Sequence, residues 1–334
     1  MADDLESHFE AHLASKGFFK PGDRILVACS GGPDSVALFH LLFHLAPRHA
    51  WHLALLHFNH RLRPVGALRD EIFVRDLARQ CGVPFFSGSG NVRRVAERRK
   101  ASTEEAARHL RYAFFLKTAC QKRYSKVVFA HTRDDQAETV LMRVLQGTGL
   151  RGLSGIREKI RQGRVTLIRP LLPFAKQALL FYLKKRRLRF RVDSSNHSLD
   201  FLRNRIRLRL IPFLRKQYNP RVVEALSRLP VIVGEEERLL SELEKTSWRK
   251  VLKRRMARRV EFRRALFLKF PRPLQFRLVE KALKRIHPQS GLSFDAWKRV
   301  REGMNRRRCR FSLPKDIDLE MTPQNISIYH KKVF

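Results

Sequence analysis

The stretch that decides the fold is Arg24-Ile25-Leu26-Val27-Ala28-Cys29-Ser30-Gly31-Gly32-Pro33-Asp34-Ser35-Val36-Ala37-Leu38. It opens with a short apolar run, which is typical of a buried strand, and it continues through a glycine-rich turn. A helical pattern follows from about residue 34 to residue 44. A strand, a tight turn and a helix in this order form the first part of a β-α-β unit, so the stretch predicts a parallel sheet.

The same alternation continues along the chain. Further strands are predicted at residues 52–58, 83–86 and 126–130, and further helices at residues 4–13, 68–80, 102–121, 134–145 and 174–183. Four strands alternating with helices predict an α/β fold with a doubly wound, mainly parallel sheet and helices on both faces.

The length suggests a second domain. The chain has 334 residues, and 43% of them are hydrophobic, which is enough to form a real core. After Tyr218-Asn219-Pro220 the pattern changes to a long amphipathic helix at 222–243, basic helical pieces and short strands at 311–329. We therefore predict a domain at 1–218 that carries the chemistry, and a smaller, mostly helical, basic domain at 219–334.

The charge points to a polyanionic partner. Lys and Arg number 70 against 31 Asp and Glu, which gives +39 at pH 7. Residues 249–310 alone contain 22 basic and 4 acidic residues, so the acids that normally pair charges on helix surfaces are nearly missing. Phosphate neutralisation explains this excess better than solvated helix faces do, and nucleic acid is the expected partner.

The sequence lacks the features of secreted and membrane proteins. The four cysteines are isolated, no pair has the CxxC spacing of a zinc or redox site, and the first residues are acidic where a signal peptide is basic. No segment reaches the ~20 apolar residues of a membrane span. We expect a reduced, cytoplasmic protein without a membrane partner.

The glycine-rich turn is suited to phosphate. Gly31 and Gly32 allow the backbone to approach an anion, the start of the following helix presents free N–H groups, and Ser30 and Ser35 add hydroxyl donors. Asp34 fits beside phosphate oxygens if Mg²⁺ bridges them. The turn lacks the GK[ST] ending of a Walker A loop. The alternative is an ordinary glycine-rich turn at the start of a core helix.

Three acids form a second candidate site. Asp134 and Glu138 are four residues apart and Asp135 and Glu138 three, so all three are neighbours at the start of one helix, after the fourth predicted strand. Such acids can simply stabilise a helix N-terminus. In a chain so poor in acids, at the ligand-binding edge of a sheet, they instead predict a pocket for a cationic substrate, whose amine they could also deprotonate.

Five segments, in this order, carry a family resemblance. They are Ser30-Gly31-Gly32-Pro33-Asp34-Ser35; His57-Phe58-Asn59-His60-Arg61-Leu62-Arg63; Glu105-Ala106-Ala107-Arg108-His109-Leu110-Arg111-Tyr112; His131-Thr132-Arg133-Asp134-Asp135-Gln136-Ala137-Glu138-Thr139; and Asp193-Ser194-Ser195-Asn196 followed by Asn204-Arg205-Ile206-Arg207. The first resembles the PP-loop, SGGxDS, of the ATP pyrophosphatases, and the set is similar to that of the tRNA(Ile)-lysidine synthetase family over residues 24–214.

The resemblance implies ATP and Mg²⁺ as cofactors and assigns residues to them. Asp34 would bind the metal. The nucleotide-binding residues would be Ser30, Gly31, Gly32, Pro33, Asp34, Ser35, His57, Asn59, His131 and Arg205. The catalytic residues would be Asp34, Asp134, Asp135, Glu138 and Arg111, of which Arg111 would contact a phosphate or the transition state.

The implied reaction has two steps. The wobble cytosine of an isoleucine tRNA attacks the α-phosphate of ATP through O2, which releases pyrophosphate. The ε-amine of free lysine then attacks C2, and AMP leaves. Two alternatives stay open: a tRNA sulfur transferase of the same superfamily, which the scattered cysteines disfavour, and a non-catalytic RNA-binding protein, which the intact Asp34 and the acids disfavour.

Overall fold

The computed structural model describes residues 2–60, 64–99, 102–192 and 199–331. The chain forms two compact units, Met1–Val233 and Gly234–Phe334. The division lies inside a long helix, α11 (Val222–Val251), whereas the boundary predicted at 218 precedes that helix. The division into a catalytic and a tRNA-binding domain stays a prediction.

The first unit is built on a six-stranded sheet with the order β3-β2-β1-β4-β6-β5. Its strands are β1 (Arg24–Ala28), β2 (His52–Asn59), β3 (Phe85–Ser89), β4 (Lys126–Val128), β5 (Lys159–Gln162) and β6 (Val165–Ile168). All neighbouring pairs are parallel except β5 with β6. The predicted mainly parallel α/β fold is confirmed. The predictions missed β5 and β6, because these strands are short and β5 is largely polar and exposed.

Helices cover both faces of this sheet. The helices of the first unit before α11 are α1 (Ala2–Lys16), α2 (Pro33–His49), α3 (Pro64–Gln80), α4 (Val92–Arg99), α5 (Thr103–Gln121), α6 (Arg133–Leu145), α7 (Leu150–Leu153), α8 (Lys176–Lys185), α9 (Leu202–Arg205) and α10 (Ile211–Gln217), with a π-helical segment, Ile206–Leu210, between the last two. Successive side chains of β1 point to opposite faces of the sheet. Ile25 and Val27 pack with α1, α2 and α8 on one face, and Leu26 packs with α5 on the other.

The strand order creates a crevice. The chain leaves β1 toward β2 on one side and later returns to place β4 on the other side. Loops at the carboxyl ends of β1 and β4 therefore diverge, and an open α/β sheet binds its ligands at such a point. The glycine-rich turn follows β1, and the acidic helix α6 follows β4.

The second unit contains a five-stranded antiparallel sheet with the order β7-β8-β11-β10-β9. Its elements after α11 are β7 (Leu252–Met256), β8 (Arg259–Arg263), α12 (Arg264–Leu268), α13 (Arg272–Ile286), α14 (Phe294–Gly303), β9 (Cys309–Leu313), β10 (Ile317–Met321) and β11 (Asn325–His330). The predicted helical pieces and final strands are confirmed, except at β7 and β8. Three consecutive basic residues leave β7 without an alternating pattern, and β8, which does alternate, is only five residues long.

Candidate active site

The glycine-rich turn is braced from within. The Ser35 hydroxyl accepts from the Ser30 N–H (3.2 Å) and donates to the Gly32 carbonyl (2.9 Å). Gly31 has φ +87°, which favours glycine, and its carbonyl accepts from the Arg191 N–H at 2.8 Å. Ser35, which we predicted as a phosphate donor, thus holds the turn in shape. The first N–H groups of α2 have no side-chain cap and are available for an anion.

Asp34 stands at the start of α2 with one oxygen unsatisfied. Its Oδ2 lies 3.5 Å from the Lys176 Nζ, whereas its Oδ1 is buried and makes no hydrogen bond. Burial raises the pKa of Asp34 to about 6, although the Lys176 ammonium acts in the opposite direction. A buried carboxylate oxygen without a partner fits a cation ligand.

The fit to Mg²⁺ depends on the substrate. Within the described residues, no group of three or more His, Cys, Asp or Glu side chains could hold a metal. Mg²⁺ commonly binds to one or two carboxylates together with substrate phosphates and water, and a single carboxylate beside a phosphate-binding turn matches this pattern.

The carboxyl end of β2 contributes two neutral histidines. The His57 Nδ1–H donates to the Cys29 carbonyl at 2.9 Å, and burial lowers the pKa of His57. Burial, with Arg111 and His57 nearby, lowers the pKa of His60 to about 4, and the His60 Nδ1 has no partner. The Asn59 amide donates to Glu71 on α3. Residues 61–63 of this motif lie outside the described residues.

Arg111 and His131 line the same cavity. Burial lowers the pKa of His131 to about 3, and its Nδ1 has no partner. Burial also lowers the pKa of Arg111, whose Nε is unpartnered. Both side chains were predicted as site residues, and the structure brings them to one cavity.

The acids are paired, which differs from the open acidic pocket that we expected. Arg203 donates to Glu138 and to Asp135, at 2.8 Å each, and Arg207 donates to the same two carboxylates. Asp135 also caps α6 by accepting from the Thr132 N–H at 2.8 Å. Two carboxylates and two guanidinium groups thus form a compact, neutral cluster.

The three acids hold different places. Asp135 lines the cavity, whereas Glu138 is only 2% exposed and lies behind it. Asp134 does not line the cavity: its Oδ2 accepts from the Lys176 main-chain N–H at 2.8 Å and so fixes the start of α8. Asp134 acts structurally here because α6 and α8 begin side by side.

Arg205 also departs from its expected place. Its guanidinium donates to the carbonyls of Leu199 and Asp200, so it braces its own segment, and Arg203 and Arg207 point to the acids instead. The i, i+4 spacing of Arg203 and Arg207 on one helical face is the signal that could have identified them. Residues 193–198, which include the Asp193-Ser194-Ser195-Asn196 motif, lie outside the described residues.

A cavity of about 810 Å³ lies beside the glycine-rich turn. Its lining includes Ser30, Gly32, Pro33, Asp34, Ser35, His57, Asn59, His60, Arg111, His131, Asp135, Lys176, Arg191, Phe201 and Arg207. Four of its residues, Asp34, His60, Arg111 and His131, have a buried polar atom without a partner. Buried polar groups are normally satisfied, so their concentration here indicates a polar ligand. Sequence reasoning missed Lys176, Arg191 and Phe201.

Comparison with known proteins identifies the family. A profile of the PP-loop domain matches residues 1–214. The chain belongs to the PP-loop family. Membership implies the use of ATP, which agrees with a phosphate-binding turn beside the cavity. The fold expected from the resemblance is confirmed.

Curated relatives define the resemblance further. The tRNA(Ile)-lysidine synthase of Symbiobacterium thermophilum is 39% identical over 82% of this chain and 58% of its own length. That of Geobacter sulfurreducens is 42% identical over 70% of this chain and 49% of its own length. The resemblance that the five motifs predicted is confirmed, and the chain spans about half the length of these relatives.

Solved structures support the architecture. The U34-tRNA thiolase NcsA from Methanococcus maripaludis, solved with its [4Fe-4S] cluster, matches with a TM-score of 0.59 at 15% identity, over 70% of this chain and 79% of that one. A likeness at this identity establishes the fold alone. Among the described residues, no helix has the length and apolar character needed to cross a bilayer.

Proposed function

We propose that this protein is an ATP-dependent ligase that attaches lysine to C2 of the wobble cytosine of an isoleucine tRNA. One observation carries the proposal. Unsatisfied polar atoms of Asp34, His60, Arg111 and His131 meet in one cavity beside the PP-loop, in a chain whose relatives are named tRNA(Ile)-lysidine synthases.

The phosphates of ATP would lie at the PP-loop. The N-terminus of α2 has no side-chain cap and supplies N–H donors. Because Gly32 has no Cβ, a phosphate can approach these donors closely. The Asp34 Oδ1 would hold Mg²⁺, which neutralises charge on the phosphates when bound. The Lys176 Nζ lies 3.5 Å from Asp34 Oδ2, and this ammonium would contact the phosphates of bound ATP.

The nucleobase would enter from the side of β2 and β4. His57, His60 and His131 are neutral near pH 7, because burial lowers their pKa values, so their ring nitrogens offer hydrogen bonds without charge. Phe201 lines the cavity and is 50% exposed, as a platform for an unstacked base would be. Arg111 would stabilise charge on the α-phosphate as cytosine O2 attacks.

The lysine ammonium would bind at Asp135. This carboxylate reaches the cavity, whereas the buried Glu138 holds Arg203 and Arg207 in place. A cationic substrate must compete with these guanidinium groups for Asp135, so lysine binding should shift one of them. Asp135 would then accept the proton that the ε-amine loses before it attacks C2.

The proposed function also implies a macromolecular partner and a cellular location. The basic charge of the chain, +39, would bind the tRNA through its phosphates. ATP, free lysine and tRNA meet in the cytoplasm, which is the location we propose.

A direct assay tests the function. Purified protein is incubated with ATP, Mg²⁺, labelled lysine and isoleucine tRNA, and label in the tRNA is measured together with AMP. Label in tRNA supports the proposal. Incorporation of sulfur from a sulfur donor would indicate a tRNA sulfur transferase, and tRNA binding without ATP turnover a non-catalytic protein.

The Asp34→Ala variant makes the test residue-specific. It should bind tRNA normally and release no pyrophosphate, because the metal ligand is gone. Normal turnover by this variant would contradict the assignment of Asp34 to Mg²⁺.

A further inference from the structure

A loop in the second unit concentrates exposed positive charge. The loop 304–308 connects α14 to β9, and Arg306, Arg307 and Arg308 are all exposed. Within the part of the chain that the structure describes, none of the three forms an ion pair. Residues 298–308 together contain six basic residues and one acid.

A buried arginine holds this loop. Arg264, at the start of α12, is 8% exposed, and its guanidinium donates to the main-chain carbonyls of Met304 (2.8 Å), Arg306 (2.6 Å) and Arg307 (2.9 Å). A fourth bond reaches the Thr322 carbonyl at 2.9 Å. One planar side chain thus fixes three carbonyls of the loop in a single geometry.

This arrangement is electrostatically unfavourable by itself. A fourth cation sits beneath three adjacent exposed ones, whereas a mobile loop would let the charges separate. The effect is felt nearby: burial raises the pKa of the Cys309 thiol, and Arg264 and Arg306 act in the opposite direction. Like charges held together are stabilised when an anion binds, and ordering the backbone beforehand lowers the entropy lost at that moment.

Two other arginines of the same unit have acidic partners. On the sheet, Arg259 pairs with Glu261 and Arg310 pairs with Asp318. Those two positions are neutralised. The exposed run Lys253-Arg254-Arg255 on β7 is as basic as the loop, so the loop differs from it in being held by Arg264 and not in its charge.

We propose that the loop 304–308 is a preorganised grip for the phosphodiester backbone of RNA, and that Arg264 is its positioning residue. The inference rests on the proposed function in taking tRNA as the polyanion. RNA is favoured over a lipid surface because the exposed residues of the loop, 305–308, include no apolar side chain that could insert between lipids, as membrane-binding segments do.

The test compares two triple variants of the full chain. One carries Arg306→Ser, Arg307→Ser and Arg308→Ser. The matched control carries Lys253→Ser, Arg254→Ser and Arg255→Ser, which removes the same charge from three exposed neighbours on β7. Affinity for isoleucine tRNA is measured without ATP or lysine over a series of salt concentrations.

The loop variant should bind about 10- to 100-fold more weakly, and its slope of log K against log salt should fall by about 2, since each neutralised phosphate contributes ~0.7–0.9. The control should change by less than about threefold. Equal losses in both variants, or no loss in either, would overturn the proposal. This assay measures tRNA binding and no catalytic step. If the loop variant loses affinity as expected but the wild type forms no lysidine, the proposed function is contradicted and the proposal for the loop is not.

Arg264→Lys tests the positioning role. Lysine keeps the charge but cannot bridge several carbonyls, so the variant should show a reduced salt slope at temperatures well below its melting temperature. A lowered melting temperature with the wild-type salt slope would show that Arg264 only stabilises the fold. Vesicles of phosphatidylglycerol provide the other control: loss of vesicle binding with unchanged tRNA binding would overturn the choice of RNA.

Discussion

At the scale of single residues, Asp34 combines function with a cost in stability. Its carboxyl is desolvated at the start of α2, and the positive charges of Lys176 and, to a smaller extent, Arg207 compensate only in part. A group whose charged form is disfavoured in the folded protein binds protons more tightly there than in the unfolded chain. Stability therefore falls as pH rises from the ordinary carboxyl pKa through about 6.

Asp34→Asn should remove this penalty. Without Mg²⁺, we expect the variant to be more stable than the wild type by about 1–3 kcal/mol at pH 8 and no more stable at pH 3.5. Denaturant unfolding at the two pH values measures the difference. A variant that is less stable at pH 8 would show that the carboxylate is already compensated in the free protein.

Lys176 supplies the second prediction at this scale. Its ammonium is the cation nearest Asp34, so Lys176→Met should weaken ATP binding about tenfold, while Lys176→Arg should retain most of it. Equilibrium binding of a fluorescent ATP analogue with Mg²⁺ measures the effect. Lys184→Met, an exposed position on the same helix, is the control; equal effects of the two methionine variants would remove the specific role.

At the scale of elements, the site depends on helices that are far apart in sequence. Glu138 and Asp135 on α6 bind Arg203 and Arg207, so α6 fixes the segment from α9 to α10. Glu138→Gln would leave two largely buried guanidinium groups short of a counter-charge. We expect a loss of about 3 kcal/mol and faster hydrogen exchange in residues 199–210.

A surface pair provides the control for this prediction. Glu242 and Lys245 are 70% and 60% exposed, and Glu242→Gln should change stability by less than about 0.5 kcal/mol. If Glu138→Gln lowers stability no more than Glu242→Gln does, the ion pairs of Glu138 and Asp135 do not hold α6 to the segment from α9 to α10.

Element boundaries were predictable where local chemistry sets them. The Ser102 side chain caps α5 by accepting from the Glu105 N–H, and Gly32-Pro33 begins α2. The hairpin β7–β8 was not predictable, because β7 carries three consecutive basic residues and both strands are short. Pairing of β8 with β11, and of β7 with β8, gives them a strand environment.

At the scale of the whole molecule, charge governs association. An excess of +39 should make tRNA binding strongly dependent on salt. If six or more phosphates are neutralised, the affinity should fall by about 10³-fold or more between 50 and 200 mM salt. Filter binding or fluorescence anisotropy measures this slope. A flat response would contradict binding through the phosphates.

The sequence alone determined the mainly parallel sheet, the PP-loop with Asp34, the family and the basic character of the chain, because each depends on neighbouring residues or on composition. Only the tertiary structure decided how these groups are used. In the structure, Asp134 accepts a hydrogen bond from the Lys176 main-chain N–H, and Asp135 and Glu138 form ion pairs with Arg203 and Arg207. Arg205 donates to a carbonyl of its own segment. The acids and arginines of that cluster are 65 to 72 residues apart in the chain. No local pattern specifies such partners, since the fold brings α6 and the segment from α9 to α10 together and the buried charges pair there.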